Sequence, residues 1–359
     1  MHIPDGYLSP STCAVLYGAA APFWYVALRR MKKLLATRLV PLLSVMAALS
    51  FVIMMFNLPL PGGTTGHAVG VAIATIILGP WASILAISVA LAIQAVFFGD
   101  GGITTLGANC FNMAIVGSLV AYAVYRLVAG RISLTAARRV LAAALAGYAA
   151  INASALCAAV ELGIQPLFFK DSNGAPLYAP YPVGIAIPAM MIGHLAFAGL
   201  AELLLTAGVV AYFQRTNPAL LKRTAPGSIE TSDAGNQSMW RTLRPLWVGL
   251  ALLLVLTPLG ILAGGTAWGE WTARDFSSFQ SRQKIAAASE NTAPPLDPPR
   301  GLARLSSLWT APFPQYAPSF VRHPAVGYAL SAMFGSGAVI LVSLAAGSLA
   351  TRARDKGRC

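Results

Sequence analysis

From residue 68 to residue 98 the chain runs for 31 residues without a charged side chain. One straight α-helix of that length would measure about 46 Å, against a membrane hydrocarbon core of about 30 Å. The run therefore has to turn back, and Gly79-Pro80 interrupts it near its middle. It reads as two short helices joined by a tight hairpin. Other apolar segments lie at roughly 13–28, 38–56, 109–128, 138–160, 183–213, 246–267 and 325–350; about 17–25 residues suffice to cross a bilayer. With the two arms of the hairpin they predict nine spans. Charged residues make up only 10% of the chain, against about 25% in soluble domains. The fold class expected is an all-α polytopic membrane protein.

Charge placement then orients the chain. The formal net charge of +13 would point to nucleic acid in a soluble protein, but in a membrane protein basic excess marks cytoplasmic loops. With the N-terminus outside, the clusters Arg29 to Arg38, Arg126 to Arg139, Arg215 to Arg244 and Arg352 to Arg358 all fall in the cytoplasm and hold 18 of the 25 Lys and Arg. Most of the others lie in one long outer loop, where the rule is weak. Reading 68–98 as a single span would put Arg131 to Arg139 outside and break this pattern. The basic cluster of the first span follows its apolar run, the reverse of a secretory signal, so an exported, uncleaved N-terminus is expected. The protein is placed in the cell membrane, with its C-terminus cytoplasmic and no nucleic-acid partner. Four cysteines without a CxxC pair imply neither a disulfide framework nor a zinc site.

Within this frame Met1-His2 stands out. A free α-amine, the peptide nitrogen of His2 and its Nδ1 close fused five- and six-membered chelate rings around a small transition-metal ion. One in-plane position stays open, and tetragonal nitrogen coordination suits Ni(II) and Cu(II). His67, in the loop NLPLPGGTTGH, returns to the same outer face and can fill it. Gly62, Gly63 and Gly66 let that loop pack closely against another segment. Methionine is normally trimmed only before a small second residue, so Met1 is expected to remain.

These residues resemble a known family. MHIPDGYLSP together with GTTGHAVG looks like the substrate-capture subunit of cobalt/nickel energy-coupling-factor transporters, the CbiM/NikM family, over about residues 1–215. Beyond a polar linker, TPLGILAGGTAWGEW, a long outer loop and a last span resemble the small accessory subunit of the same transporters, here fused. The resemblance implies a seven-helix metal-capture domain at 1–213, a cytoplasmic linker at 214–244, and an accessory domain at 245–359 with two spans and an extracytoplasmic loop at about 268–324. It implies Met1, His2 and His67 as metal ligands. It also implies a transmembrane scaffold subunit and two ATPase subunits as partners; no phosphate loop occurs in this chain. The Pro-Asp-Gly after Met-His-Ile looks more like nickel-type members, with Co2+ the competitor as substrate ion. No catalytic cofactor is expected.

Other polar residues carry smaller expectations. A ligating imidazole usually donates its second N–H to an oxygen, and Asp5, Asp100, Asn109 and Asn112 are candidates, with Asp5 equally readable as a turn residue. His194 and Glu202 in the seventh span are candidates for coupling or for an interhelical contact, since ionisable groups in a membrane are costly. His323 reads as a solvated juxtamembrane residue. Ala142, Ala146 and Ala150, and Gly66-x-x-x-Gly70, permit close helix approach, either within the chain or against the scaffold. Trp268, Trp271 and Trp309 bracket the proline-rich outer loop as an interfacial belt or, following the resemblance, as contacts to the capture loops. Two other classes stay open. The absence of HExxH and GxSxG argues against an intramembrane enzyme, and no histidine- and aspartate-rich helix of a secondary nickel/cobalt permease is found.

Overall fold

The fold is described from a computed structural model that covers residues 1–35, 39–131, 133–224 and 239–356. The chain forms α1 (Pro10–Leu35), α2 (Val40–Met54), a small antiparallel hairpin of β1 (Leu58–Leu60) and β2 (Thr64–Gly66), and α3 (Val71–Leu78). Then come α4 (Pro80–Phe98), α5 (Leu106–Ala129), α6 (Ala137–Gly163) and α7 (Val183–Thr216). The C-terminal segment adds α8 (Met239–Leu256), short helices at Ala273–Ser277, Phe279–Ala287 and Arg300–Leu305, and α9 (Pro324–Lys356). The middle of the expected linker, 225–238, lies outside the described residues.

Among the described residues seven helices are long and apolar enough to cross a membrane, five of them before residue 220. The other two expected spans are shorter. α2 has 15 residues, and α3 has eight, about 12 Å. Gly79 turns the chain at φ +83° and Pro80 opens α4, as the hairpin reading requires. The first arm is short because Ala68, Val69 and Gly70 are not helical; Gly70 sits at φ +72°. Both short helices form the centre of the bundle. Every residue of α3 is buried, as is every residue of α2 but Pro41, in keeping with an apolar character on all sides.

Small residues let the helices close around this centre, which matters in lipid, where apolar burial itself drives little association. Ala142, Ala146 and Ala150 are fully buried on α6, which packs between α5 and α7, so that stripe serves packing within the chain. A Cβ on Gly147 would stand 2.7 Å from the Thr206 hydroxyl of α7. The C-terminal helices join the same body. α9 runs along α2, and a Cβ on Gly335 would meet the Phe51 ring at 2.1 Å.

Three of the long helices contain a π segment: Gln94–Phe98 at the end of α4, Cys110–Val116 in α5 and His194–Ala198 in α7. Such bulges are rare and frequent at functional sites. Here each begins at or beside a polar residue singled out by burial: Gln94, Asn109 and His194 are 0%, 1% and 3% exposed.

Candidate metal centre

The first residues of the chain are interior. Met1, His2 and Ile3 are buried, held at one end of the bundle by the loop between α4 and α5. Ile3 donates its N–H to Asn109 Oδ1 at 2.8 Å, and its carbonyl accepts from Asn109 Nδ2 at 3.1 Å, from the Gly102 N–H at 3.0 Å and from the Thr105 hydroxyl. A peptide held at both polar groups cannot slip by one residue, so the register of Met1 and His2 is set by Ile3. Asp5 accepts from the N–H groups of Ile103 and Thr104 at 3.1 and 2.8 Å and from the Thr104 hydroxyl. A Cβ on Gly102 would lie 2.3 Å from that carboxylate, which explains glycine there.

His67 meets His2 in this slot. Their ring centroids are 5.0 Å apart, with His67 Nε2 at 3.3 Å from His2 Nδ1. The other nitrogen of each ring faces an acceptor: His67 Nδ1 the Ala68 carbonyl at 3.0 Å, His2 Nε2 the Gln94 Oε1 at 3.3 Å. In neutral rings these outer nitrogens carry the protons, and His67 Nε2 and His2 Nδ1 then turn lone pairs toward one another, with Asp100 Oδ1 also at 3.2 Å from His2 Nδ1. Facing lone pairs call for a cation between them. A metal binds imidazole nitrogen at about 2 Å, so two nitrogens at right angles around it stand roughly 3 Å apart. Among the described residues no group of three or more His, Cys, Asp and Glu side chains is placed to hold a metal. Beyond the two imidazoles, nitrogen is offered by the Met1 amine and the His2 amide, which are adjacent in the chain.

Electrostatics favour the ligating form of His67. Burial, the facing His2 ring and the terminal amine hold its pKa well below the usual imidazole value, so it stays neutral near pH 7. The loop that carries it is clamped from α7: Glu202 Oε2 accepts from the N–H groups of Val69 and Gly70 at 2.7 and 2.9 Å. A carboxylate there also lies at the N-terminus of α3, the end of a helix that attracts negative charge.

The remaining candidates separate clearly. Asp100 reaches the centre, with Oδ1 at 3.2 Å from His2 Nδ1. Asn109 holds Ile3 and so sets the position of His2 through the backbone. Asp5 does not touch an imidazole, because its oxygens are committed to the 103–104 turn. Asn112 is turned to α6, where its Nδ2 donates to Glu161 at 2.8 Å. His194 is buried with Nδ1 donating to the Met190 carbonyl of its own helix at 2.8 Å, and His323 is exposed.

Three residues at the centre carry no expectation from sequence. Gln94 is one, although a lone amide in an uncharged run was a readable signal. The other two come from the C-terminal segment: the Met1 amine donates to Glu270 Oε1 at 3.3 Å, and the Tyr316 hydroxyl donates to Asp100 Oδ2 at 2.6 Å while accepting from Gln94 Nε2 at 3.1 Å. Burial and the nearby Asp100 hold the Tyr316 pKa well above the ordinary phenol value, so it remains a donor. Trp268 and Trp271 are buried rather than disposed as a surface belt, and the Tyr7 hydroxyl donates to the Trp271 carbonyl at 2.7 Å. A cavity of about 800 Å³ between the two parts of the chain is lined by His67, Asp100, Glu270, Trp309 and Tyr316 among others.

A helical bundle with membrane-length spans and a buried two-imidazole centre beside its own terminal amine defines a membrane metal-handling protein, and comparison with known proteins agrees. The family described as cobalt uptake substrate-specific transmembrane region, CbiM, matches residues 2–220, and a PDGLE domain matches 243–352. The chain belongs to the CbiM family. It is 56% identical over 349 residues to a fused nickel transport protein, NikMN, of Rhodobacter capsulatus, covering 97% of each chain. It is 44% identical over 289 residues to a probable fused nickel transport protein, LarMN, of Lactiplantibacillus plantarum, covering 80% of this chain and 82% of the relative. A crystal structure of a truncated transition metal transporter aligns with TM-score 0.55 and 49% identity, over 59% of this chain and 97% of that one.

Proposed function

We propose that this chain captures a divalent transition-metal ion, Ni2+ in preference to Co2+, at the outer face of the cell membrane. The Met1 amine, the His2 peptide nitrogen and Nδ1, and the His67 imidazole would bind it as four nitrogens around one plane. The observation that carries this reading is the meeting of His67 Nε2 and His2 Nδ1 at 3.3 Å with both outer nitrogens committed elsewhere. The nickel names of two fused relatives support the metal preference, and low-spin d⁸ Ni(II) is suited to a planar nitrogen set. Cu(II) would bind more tightly still by the Irving–Williams order, so availability in the cell takes part in selection.

In this reading the N-terminus is extracytoplasmic, the segment around 214–244 is a cytoplasmic linker, and residues 245–359 are an accessory domain fused to the capture domain at 1–213. The capture domain delivers its ion to a transmembrane scaffold subunit driven by two ATPase subunits. Glu202 is the residue through which the seventh span senses the His67 loop, because it accepts from the Val69 and Gly70 amides, two and three positions after that histidine. The test is metal uptake by cells expressing this chain with an untagged N-terminus, with and without a co-expressed scaffold and ATPase pair. Nickel accumulation that requires the pair is expected. Accumulation by the chain alone would make it an autonomous permease, and cobalt predominating in the purified protein would reverse the metal preference.

A further inference from the structure

The terminal amine of Met1 is buried, and an amine in such a place needs a partner. Burying an unpaired charge costs several kcal/mol, and a chain end without a partner would leave its seat for solvent. The partner present is Glu270, at 3.3 Å, from a part of the chain 269 positions away. Glu270 is itself rigidly placed. Its N–H donates to the Ala267 carbonyl at 3.0 Å, Gly269 turns at φ +81°, and the flanking Trp268 and Trp271 are buried. Both indoles pack on the Tyr181 ring, at 6.1 and 6.3 Å between centroids. Trp268 Nε1 donates to the Ser289 hydroxyl at 3.1 Å, and the Trp271 carbonyl accepts from Tyr7. Tyr7 follows the Pro-Asp-Gly turn, whose Gly6, at φ +90°, has no room for a Cβ because Leu302 Cα of the same C-terminal segment would stand 2.7 Å from it.

We infer that Glu270 is a positioning residue for the metal chelate: the C-terminal domain supplies the carboxylate that seats the Met1 amine, so that the capture site is complete only when that domain is docked. This rests on the N-terminal chelate reading. It gives the fused accessory domain a defined task. When a site's competent conformer is populated only in part, apparent affinity falls by that fraction, and Glu270 keeps the amine in the competent position before metal arrives.

The test uses the full-length, untagged, metal-free protein and the variants Glu270→Ala, Glu270→Gln and Glu270→Lys. The first readout is the rate at which an N-hydroxysuccinimide acetate acylates the α-amine at pH 7, followed by mass spectrometry of the N-terminal peptide. The second is nickel affinity together with the ligand-field spectrum of the loaded protein. Glu270→Ala is expected to raise the acylation rate at least about tenfold and to weaken apparent nickel affinity by a similar factor, with the loaded spectrum unchanged. Glu270→Gln retains a carbonyl acceptor and is expected to restore most of the protection, whereas Glu270→Lys repels the amine and exceeds Ala. If Ala fails to fold, the Gln and Lys pair still decides, since they differ in the head group set against the amine. Equal acylation rates in all variants, or a changed loaded spectrum in Glu270→Ala, would overturn the assignment. The acylation arm contains no metal, so it is separate from the chelate reading, which fails instead if wild-type protein with an acetylated N-terminus still binds nickel tightly.

Discussion

In the proposed chelate, His67 is the donor with the most decisive readout. His67→Ala leaves three nitrogens on Met1 and His2 and admits water to the fourth position, so nickel affinity should fall and the ligand-field bands should shift. His194→Ala and His323→Ala should leave those bands in place, because His194 is bound to its own helix and His323 is exposed. An unchanged spectrum in His67→Ala would remove this centre from consideration. Acid acts on a different group. Burial keeps His67 neutral below the usual imidazole range, whereas a terminal amine must lose a proton to ligate. Nickel affinity is therefore expected to fall by at least about tenfold per pH unit below pH 7, a dependence that calorimetric titration between pH 5 and 8 would measure; a flat profile would speak against amine ligation.

The N-terminal segment and the helices around it are held in register rather than merely in contact. Inserting one leucine between Met1 and His2 moves the imidazole to the third position, where amine, two amides and imidazole supply four nitrogens from the segment alone. Binding of Ni(II) in solution should persist and become independent of His67, while uptake into cells should fail because the ion no longer joins the segment to the His67 loop. Normal uptake by the insertion variant would sink this reading. Between α2 and α9 the register depends on glycine. Gly335→Leu sets its side chain against the Phe51 ring and should cost about 1–3 kcal/mol as an overpacked contact, seen as a lower melting midpoint of the purified protein. Gly337→Leu, two residues on and on the opposite side of the helix, with open space around an added Cβ, should be nearly neutral.

For the molecule as a whole, the buried neutral imidazole links stability to pH. In the unfolded chain His67 takes a proton near pH 6.5, while in the fold it does so only at a lower pH because burial opposes the charge. Its contribution is fully present above about pH 6.5 and is lost below it, at about 1.4 kcal/mol per pH unit for one proton. Metal-free protein should therefore melt at progressively lower temperature as pH falls from 6.5, and His67→Gln should flatten that slope. An equal slope in the variant would mean that other groups govern acid stability.

Much of the architecture follows from local pattern. Span length and the basic clusters depend on composition within windows of about 20 residues, and the Gly79-Pro80 break needs only backbone sterics, so the hairpin and most helix positions were legible along the chain. The meeting of the two imidazoles was legible too, since a terminal amine, an amide and an imidazole joined at Met1-His2 form a possible chelate with one position left for a donor from the same side. The short α3 was not, because the Val69 and Gly70 N–H groups before it are taken by Glu202 on α7, 132 positions beyond Gly70, a partner that no local pattern reveals. Nor could spacing tell that Asp5 serves a turn while Asp100 faces His2, since both are acidic residues on the same side and only their neighbours in space differ. Glu270 and Tyr316 lie furthest beyond reach. Each comes to the centre through docking of a segment more than 200 residues away, and hydrogen bonds made across such separations leave no periodicity in the sequence from which they could be read.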